Sequence, residues 1–555
     1  MTSISDNEIE WYKDKIKVMF GSQDAFITEL PVDTVLIVPS KDDWNDFGYR
    51  TKVNVHIYLA GEEVYSTVAF IGFNTDSLDE PNGTVALVKL LEEEGRKEIF
   101  ATHSHSFFTM LPNMEAYRAI VRKLGLARSI AVMKAMRDIV ALNEFEHSHG
   151  LELAIDSDVF FNSFVRNSES YFAYKNAGSI LKGLEYENFY KLSKALSIRF
   201  QLPGRQSPHD LKFRFDHDAV LPKRIAVIIG KNGVGKSQTL RRIVQAALNG
   251  DETLVDGNTG GRFLVNRILA FAPTNEAGSV FPRNRRIRPR VWYQRFSLNR
   301  SRAVRKDNGV ADQVLQVARS EENIGNSSRW DIFLEALRAI DHWNQISLPV
   351  KDKKYDPIPL SELWSGSERK SLENFAAVDT RKEPIRVIDG FAYPLSSGEI
   401  SFLRFAAQAS LNVENGSLLL LDEPETHLHP NFISQFVSLL DRLLDQTGSA
   451  AIIATHSAYF VREVFQEQVT VLRQDMEGSV KIEIPALRTF GADVGAISYF
   501  VFGEDEPSQL ASQVEKRLLE RFSSWEELYA RYKNDLSLEM LGSLRESMEA
   551  KENNE

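Results

Sequence analysis

The sequence predicts an α/β fold: a parallel-sheet core carrying a phosphate-binding loop, with an antiparallel β subdomain and mainly helical insertions. Three observations carry this. An apolar run, residues 225–229, leads into Gly230-Lys231-Asn232-Gly233-Val234-Gly235-Lys236-Ser237, and an amphipathic stretch with Leu240, Ile243, Val244 and Ala247 leaves it. That is the strand–loop–helix setting the G-x-x-x-x-G-K-S pattern requires. Residues 418–421 are four leucines ending in Asp422-Glu423, and a third apolar run, residues 451–455, ends at His456. Strands this uniformly apolar are buried on both faces, as in a parallel sheet.

At 555 residues the chain exceeds one simple core, so several domains or large insertions are expected. Its apolar fraction of 43% and charged fraction of 26% are those of a globular protein. It has no cysteine, which excludes disulfides and cysteine-ligated zinc or iron–sulfur centres. The opening Met1-Thr2-Ser3-Ile4-Ser5-Asp6-Asn7-Glu8 has neither the basic nor the apolar region of a secretory signal. No apolar run approaches the ~18 residues that span a bilayer. A cytoplasmic protein without membrane attachment is expected. The net charge of −11 offers nucleic acid no global attraction, so any such binding rests on a local patch.

In chain order, residues 1–28 read as an N-terminal helical extension with Ile9, Tyr12, Ile16 and Met19 on one face. Residues 29–84 alternate apolar and polar, as at Val53, Val55 and Ile57, and read as antiparallel strands of the nucleotide-binding part. Residues 85–205 turn to helical spacing, at Tyr117, Ile120, Val121 and Leu124, and read as a helical insertion. Its H-x-H pairs, His103/His105 and His147/His149, lack a convergent third ligand and read as exposed or capping histidines. Residues 206–275 return to strands and carry the phosphate loop. Residues 276–384 read as a basic loop followed by a helical insertion. From Arg283 to Lys306 there are ten basic residues and no acidic ones, with Trp292, Tyr293 and Phe296 interleaved. Arginines with aromatics suit phosphate gripping and base stacking, which makes Arg285, Arg286, Arg288, Arg290, Trp292 and Tyr293 candidate contacts to nucleic acid or an acidic partner. Residues 385–505 carry the second half of the nucleotide site, and residues 506–555 read as C-terminal amphipathic helices.

The chemistry follows from residue types. Glycines let backbone N–H groups surround phosphate oxygens, and the following helix adds its positive end. The loop's candidate nucleotide contacts are Gly230, Asn232, Gly233, Gly235, Lys236, Ser237 and Gln238. Lys236 reaches the β- and γ-phosphates of ATP, and the Ser237 hydroxyl ligates Mg²⁺. Asp422, at a strand's C-terminal end, reaches the same Mg²⁺. Glu423 polarises the attacking water, and the His456 imidazole contacts the γ-phosphate.

The order phosphate loop, Leu395-Ser396-Ser397-Gly398-Glu399, Asp422-Glu423 and His456 resembles the ATP-binding-cassette (ABC) ATPases. The resemblance makes residues 395–399 a signature segment, with Ser397 in place of the usual third-position glycine and Glu399 in place of glutamine. It implies a homodimer of heads sandwiching two ATPs, with Ser396, Ser397, Gly398 and Glu399 acting on the partner's nucleotide. Asn275 is the candidate for the family's glutamine-loop position. The run Asp422-Glu423-Pro424-Glu425-Thr426-His427-Leu428-His429-Pro430 looks like the soluble ATPases of DNA repair and antiviral defence. Within these the spacing is similar to the ATPase subunit of Septu-type antiphage systems (PtuA-like). That resemblance implies a separately encoded HNH-type nuclease as partner and, in retron versions, a reverse transcriptase with its RNA–DNA product. The alternatives are a chromosome-associated ATPase that clamps DNA, or an overcoming-lysogenization-defect-like ATPase lacking its nuclease domain.

Overall fold

The computed structural model describes residues 6–23, 33–41, 48–74, 81–102, 104–146, 149–184, 192–203, 207–216, 221, 223–272, 280–283, 289–298, 309–352, 354–364, 367–428, 430–474, 479–502, 509–522 and 524–552. The chain divides into two compact units, Met1–Gly491 and Ala492–Glu555. The division falls earlier than the sequence suggested, because helix Val494–Phe502 belongs to the C-terminal unit. That unit's own core is formed by Leu518, Phe522, Leu528, Leu541, Leu544 and Met548.

The larger unit begins with helix Asp6–Lys13 and strand β1 (Lys17–Gly21). The helix expected over residues 1–28 therefore stops early, and Met19 lies in a strand. The turn at Asp14-Lys15 closes the helix, and Val18-Met19-Phe20 is a continuous buried run that pairs in parallel with β2 (Thr34–Pro39). A helical period and a short buried strand overlap in so few residues, and the long-range pairing decides. Further strands are β3 (Lys52–Leu59), β4 (Glu62–Phe73), β5 (Glu98–Phe100) and β6 (Phe107–Met110). Among the described residues they form one sheet in the order β5-β1-β2-β3-β4-β6. It shares a core with the helices between Thr84 and Lys182, from Leu87 through Tyr117 and Met133 to Leu181. The strands of residues 29–84 thus build an N-terminal body with the helices that follow, not the β subdomain of the nucleotide-binding part.

That β subdomain is β7 (Ala195–Phe200), β8 (His209–Arg214) and β10 (Leu254–Asp256), an antiparallel sheet in the order β10-β7-β8. The core sheet contains β9 (Ile225–Gly230), β11 (Arg267–Ala272), β12 (Trp292–Ser297), β19 (Leu418–Asp422), β20 (Ala450–Thr455), β21 (Val469–Gln474) and β22 (Val480–Glu483). Its order is β12-β11-β19-β20-β9-β21-β22, with every pairing parallel except β21–β22. Between β12 and β19 lie a small hairpin, β13 (Asn323–Ile324) and β14 (Ser327–Ser328), and a sheet of β15 (Ile346–Leu348), β16 (Ile358–Pro359), β17 (Ile385–Ile388) and β18 (Phe391–Pro394). The 276–384 segment is therefore not an insertion throughout, because β12 extends the core sheet.

In the N-terminal body, Asp138 is buried and caps helix Ile139–Phe145 by accepting from the Ala141 N–H. It also accepts from Tyr117 Oη at 2.9 Å and the Leu111 N–H at 3.3 Å. Burial pushes its carboxyl up to about 6 against those bonds. A carboxyl raised on folding keeps its proton while the unfolded chain releases it. Stability therefore falls as pH rises from the ordinary carboxylate range through 6. Relative to the parent, Asp138→Asn is expected to gain about 2 kcal/mol between pH 4 and pH 8. Urea unfolding at the two pH values measures it, and a pH-independent difference would refute it.

Candidate nucleotide site

Strand β9 is buried along its length and delivers the chain to the phosphate loop. A side chain at Gly230 would meet the Leu472 carbonyl of β21 at 2.3 Å, so glycine is what lets the neighbouring strand close on it. Gly233 (φ 82°) and Gly235 (φ 105°) take the left-handed turns that wrap the loop. Helix Lys236–Asn249 follows, with Ser237 and Gln238 in its first turn, and Lys231, Asn232 and Gly233 form the exposed rim. The Lys236 ammonium is buried and donates to the carbonyls of Gly230 at 2.8 Å and Lys231 at 3.1 Å. Burial lowers its pKa, and Glu423, Glu425 and Asp422 oppose that shift, so all four groups share one electrostatic neighbourhood.

The strand order β9-β20-β19 explains how residues far apart in sequence converge. One strand separates the phosphate loop from Asp422, and the C-terminal ends of all three open on the same edge. Ligands of open parallel sheets bind at that edge. Asp422 is buried beside Ser237, which hydrogen-bonds it, and burial pushes its carboxyl up to about 6. Its Oδ1 is buried and makes no hydrogen bond among the described residues. A carboxylate oxygen without a partner next to a hydroxyl fits a hard divalent cation such as Mg²⁺. Asp422 and Ser237 would hold that cation, which when bound would neutralise phosphate charge.

Glu423 sits in the left-handed region (φ 43°, ψ 53°), a conformation costly for a non-glycine residue and characteristic of functional sites. Its N–H is tied to the Ala454 carbonyl of β20 at 2.8 Å and its carbonyl accepts from Thr426 Oγ1 at 2.9 Å. His456 Nδ1 lies 3.8 Å from Glu423 Oε1 and 3.3 Å from Glu425 Oε1. Glu425 also accepts from Thr455 Oγ1 at 2.5 Å and from the His456 N–H at 3.0 Å. It thus orients the histidine, a role that sequence reasoning missed. The signal was present as the second acid of Asp422-Glu423-Pro424-Glu425. His209 was missed too: it is buried beneath the loop, stacked on Phe200, with Nε2 3.4 Å from the Val234 carbonyl.

The segment Ser396–Glu399 starts helix Ser397–Asn412. Ser396 and Ser397 are exposed and Gly398 is buried. Glu399, expected to act on a partner's nucleotide, is engaged locally in the single chain. It closes a capping box, accepting from the Ser396 N–H at 2.8 Å and Oγ at 2.7 Å, and pairs with Arg386. A Ser-x-x-Glu pattern at a helix start ties down two backbone donors, the Ser396 and Glu399 N–H groups.

Of the basic stretch, Arg285, Arg286 and Arg288 lie outside the described residues, as does Asn275. Tyr293 is a buried residue of β12 whose hydroxyl donates to the Pro282 carbonyl at 2.8 Å. Trp292 is half-buried with the Arg267 guanidinium 4.8 Å from its ring centre. Tyr293 is thus packed in the sheet, and one face of Trp292 is covered by Arg267. Arg290 is exposed.

A family model described as "AAA domain, putative AbiEii toxin, Type IV TA system" matches residues 225–462. Protein ea59 of Escherichia phage lambda is 22% identical over 515 residues, covering 90% of this chain and 92% of that one. UvrABC system protein A of Chlamydia muridarum is 39% identical over 70 residues, 13% of this chain and 4% of that protein. The solved structure of UvrA2 from Deinococcus radiodurans aligns with 53% of this chain and 38% of that one at 14% identity, with a TM-score of 0.24. A superposition that loose adds nothing to the fold, which rests on the sheet order above. Among the described residues no helix is long and apolar enough to cross a membrane. Phosphate loop, paired carboxylates and histidine meet at one sheet edge inside the matched segment, so residues 225–462 form a P-loop ATPase domain with the ABC-type order of motifs.

Proposed function

We propose that this chain is the Mg²⁺-dependent ATPase subunit of a cytoplasmic antiphage complex, working as a dimer of heads that controls a separately encoded HNH-type nuclease. The observation that carries the ATPase reading is that the phosphate loop with Lys236, the Asp422-Glu423 pair and His456 meet at the C-terminal ends of the neighbouring parallel strands β9, β19 and β20. Lys236 and the loop's N–H groups hold phosphate, Asp422 with Ser237 holds the cation, and Glu423 accepts a proton from water. His456, braced by Glu425, donates toward the γ-phosphate. Support for the dimer is that Ser396 and Ser397 stand exposed at a helix N-terminus where the Ser397 and Gly398 N–H groups lie outside the capping box and face a partner's phosphate in the proposed dimer. Support for the defence role is the matched model's description, which names a toxin and a toxin–antitoxin system. A retron reverse transcriptase with its RNA–DNA product is a further proposed partner. Nucleic-acid contact falls to Arg285, Arg286, Arg288 and Arg290, without the buried Tyr293.

The test mixes two inactive chains. Lys236→Ala removes one loop and Gly398→Asp one signature, so a mixed dimer keeps one complete composite site. Partial recovery of ATP hydrolysis on mixing is the expected result. Mixed dimers that form and stay inactive would overturn the shared site. The similarity to UvrABC system protein A favours a second reading, an ATPase that clamps DNA for its own sake. ATP-dependent, salt-sensitive DNA binding by the chain alone, with no nuclease co-purifying, would favour it.

A further inference from the structure

The N-terminal body holds a cavity of about 780 Å³, between helix Asp6–Lys13, the β1–β6 sheet and the helices from Leu126 to Ile155. Its size is that of small-molecule sites, roughly 300–1,000 Å³. It lies outside the ATPase domain, and nothing in the nucleotide site uses it.

Four cations line it, Lys13, Lys17, Lys134 and Arg137, against two carboxylates, Asp14 and Glu146. Two of the cations are already matched. Lys134 pairs with Glu146 at 2.8 Å and with Glu10, and Lys13 pairs with Glu146 at 3.0 Å and Glu10 at 3.5 Å. Arg137 and Lys17 have no carboxylate partner among the described residues. Arg137 donates one bond, Nη1 to the His105 carbonyl at 2.9 Å, and lies over Phe107 at 4.8 Å from the ring centre. The rest of its planar fork is uncommitted among the described residues, and such a fork matches a phosphate.

Arg137 is also held in an unusual backbone state. Its φ is 53°, in the left-handed region. The kink is fixed from both sides: the Thr109 N–H donates to the Arg137 carbonyl at 3.0 Å, and Asp138 is locked in the network described above. Glycine would fit this turn at lower cost. A strained arginine there points to a side chain wanted for another purpose.

A second feature asks for a donor. Asn74 gives its amide hydrogens to Ser106 Oγ at 3.4 Å and the Gly150 carbonyl at 3.1 Å, yet its Oδ1 is buried with no partner among the described residues. A buried acceptor left open is costly unless something fills it. Phe107 and Leu151 give the cavity an apolar wall. We propose that this cavity is a second ligand site, for a nucleoside phosphate, with Arg137 and Lys17 on the phosphate and Asn74 accepting an N–H or O–H from the nucleoside.

The experiment uses the full chain carrying Lys236→Ala, so that the phosphate loop does not compete. Adenosine, guanosine, cytidine and uridine 5′-monophosphates and inorganic phosphate are titrated by calorimetry. At least one nucleotide is expected to bind one per chain, at least ten-fold tighter than inorganic phosphate. Arg137→Gly, which removes the fork while easing the backbone, should weaken that binding ten-fold or more without lowering the melting temperature. Arg137→Lys should fall between. No heat from any nucleotide at millimolar concentration, or binding indifferent to Arg137→Gly, would overturn the site. Inorganic phosphate binding as tightly as the nucleotides would overturn its nucleoside specificity.

Discussion

Glu423→Gln is expected to bind ATP as the parent does and to hydrolyse it roughly 10²–10⁴ times more slowly, the span a positioned general base supplies. The carboxylate stands where the strained backbone puts it, pinned through Ala454 and Thr426 and 3.8 Å from His456. Glutamine keeps that placement and loses the proton-accepting oxygen. Lys236→Ala is the contrasting variant, because its ammonium sits over the loop and its loss should weaken ATP binding itself. Equilibrium binding of a fluorescent ATP analogue and single-turnover hydrolysis separate the two. Wild-type turnover by Glu423→Gln would remove Glu423 from the chemistry.

Arg118→Met is expected to lose about 3–5 kcal/mol of stability, the effect of breaking one side of a buried ion pair. Arg118 is fully buried in helix Met114–Leu124 and grips Glu414 with two bonds, Nη2–Oε1 at 2.8 Å and Nη1–Oε2 at 3.2 Å. Glu414 follows the signature helix and precedes β19, so the pair ties the N-terminal body to the core between two parts of the ATP site. Burial would raise the Glu414 carboxyl, but Arg118, with Arg267 and Arg329 behind it, holds it at about 2. Glu115, which shares the same arginine, is instead raised by burial, so the pairing strength is concentrated on Glu414. The sign follows. A depressed carboxylate stabilises the fold above its unfolded value of 4.5, and that share, about 3 kcal/mol, is lost as pH falls toward 2. Urea unfolding should show the Arg118→Met deficit at pH 7, and Arg118→Met with Glu414→Leu should recover part of it. A deficit within experimental error at pH 7 would mean the pair contributes no net stability.

The chemistry of the site was legible in the chain because it is local. Gly233 and Gly235 sit in the turns that need left-handed backbone, Lys236 and Ser237 follow within one helical turn, and the leucines of β19 lead straight to Asp422 and Glu423. Each of these rests on backbone and side-chain demands within a few residues. Tertiary structure alone decided what depends on distant partners. It placed β20 between the loop strand and the carboxylate strand, made β1 a strand, and buried Tyr293 in β12. It spent Glu399 on a helix cap and Arg386, set Glu425 behind His456, and joined Arg118 to Glu414 across 296 residues of chain. Short apolar segments are compatible with several pairings, and buried charges with several partners. The choice is made by which arrangement buries the most apolar surface while leaving the fewest polar groups unmatched, a property of the whole chain that no single segment carries.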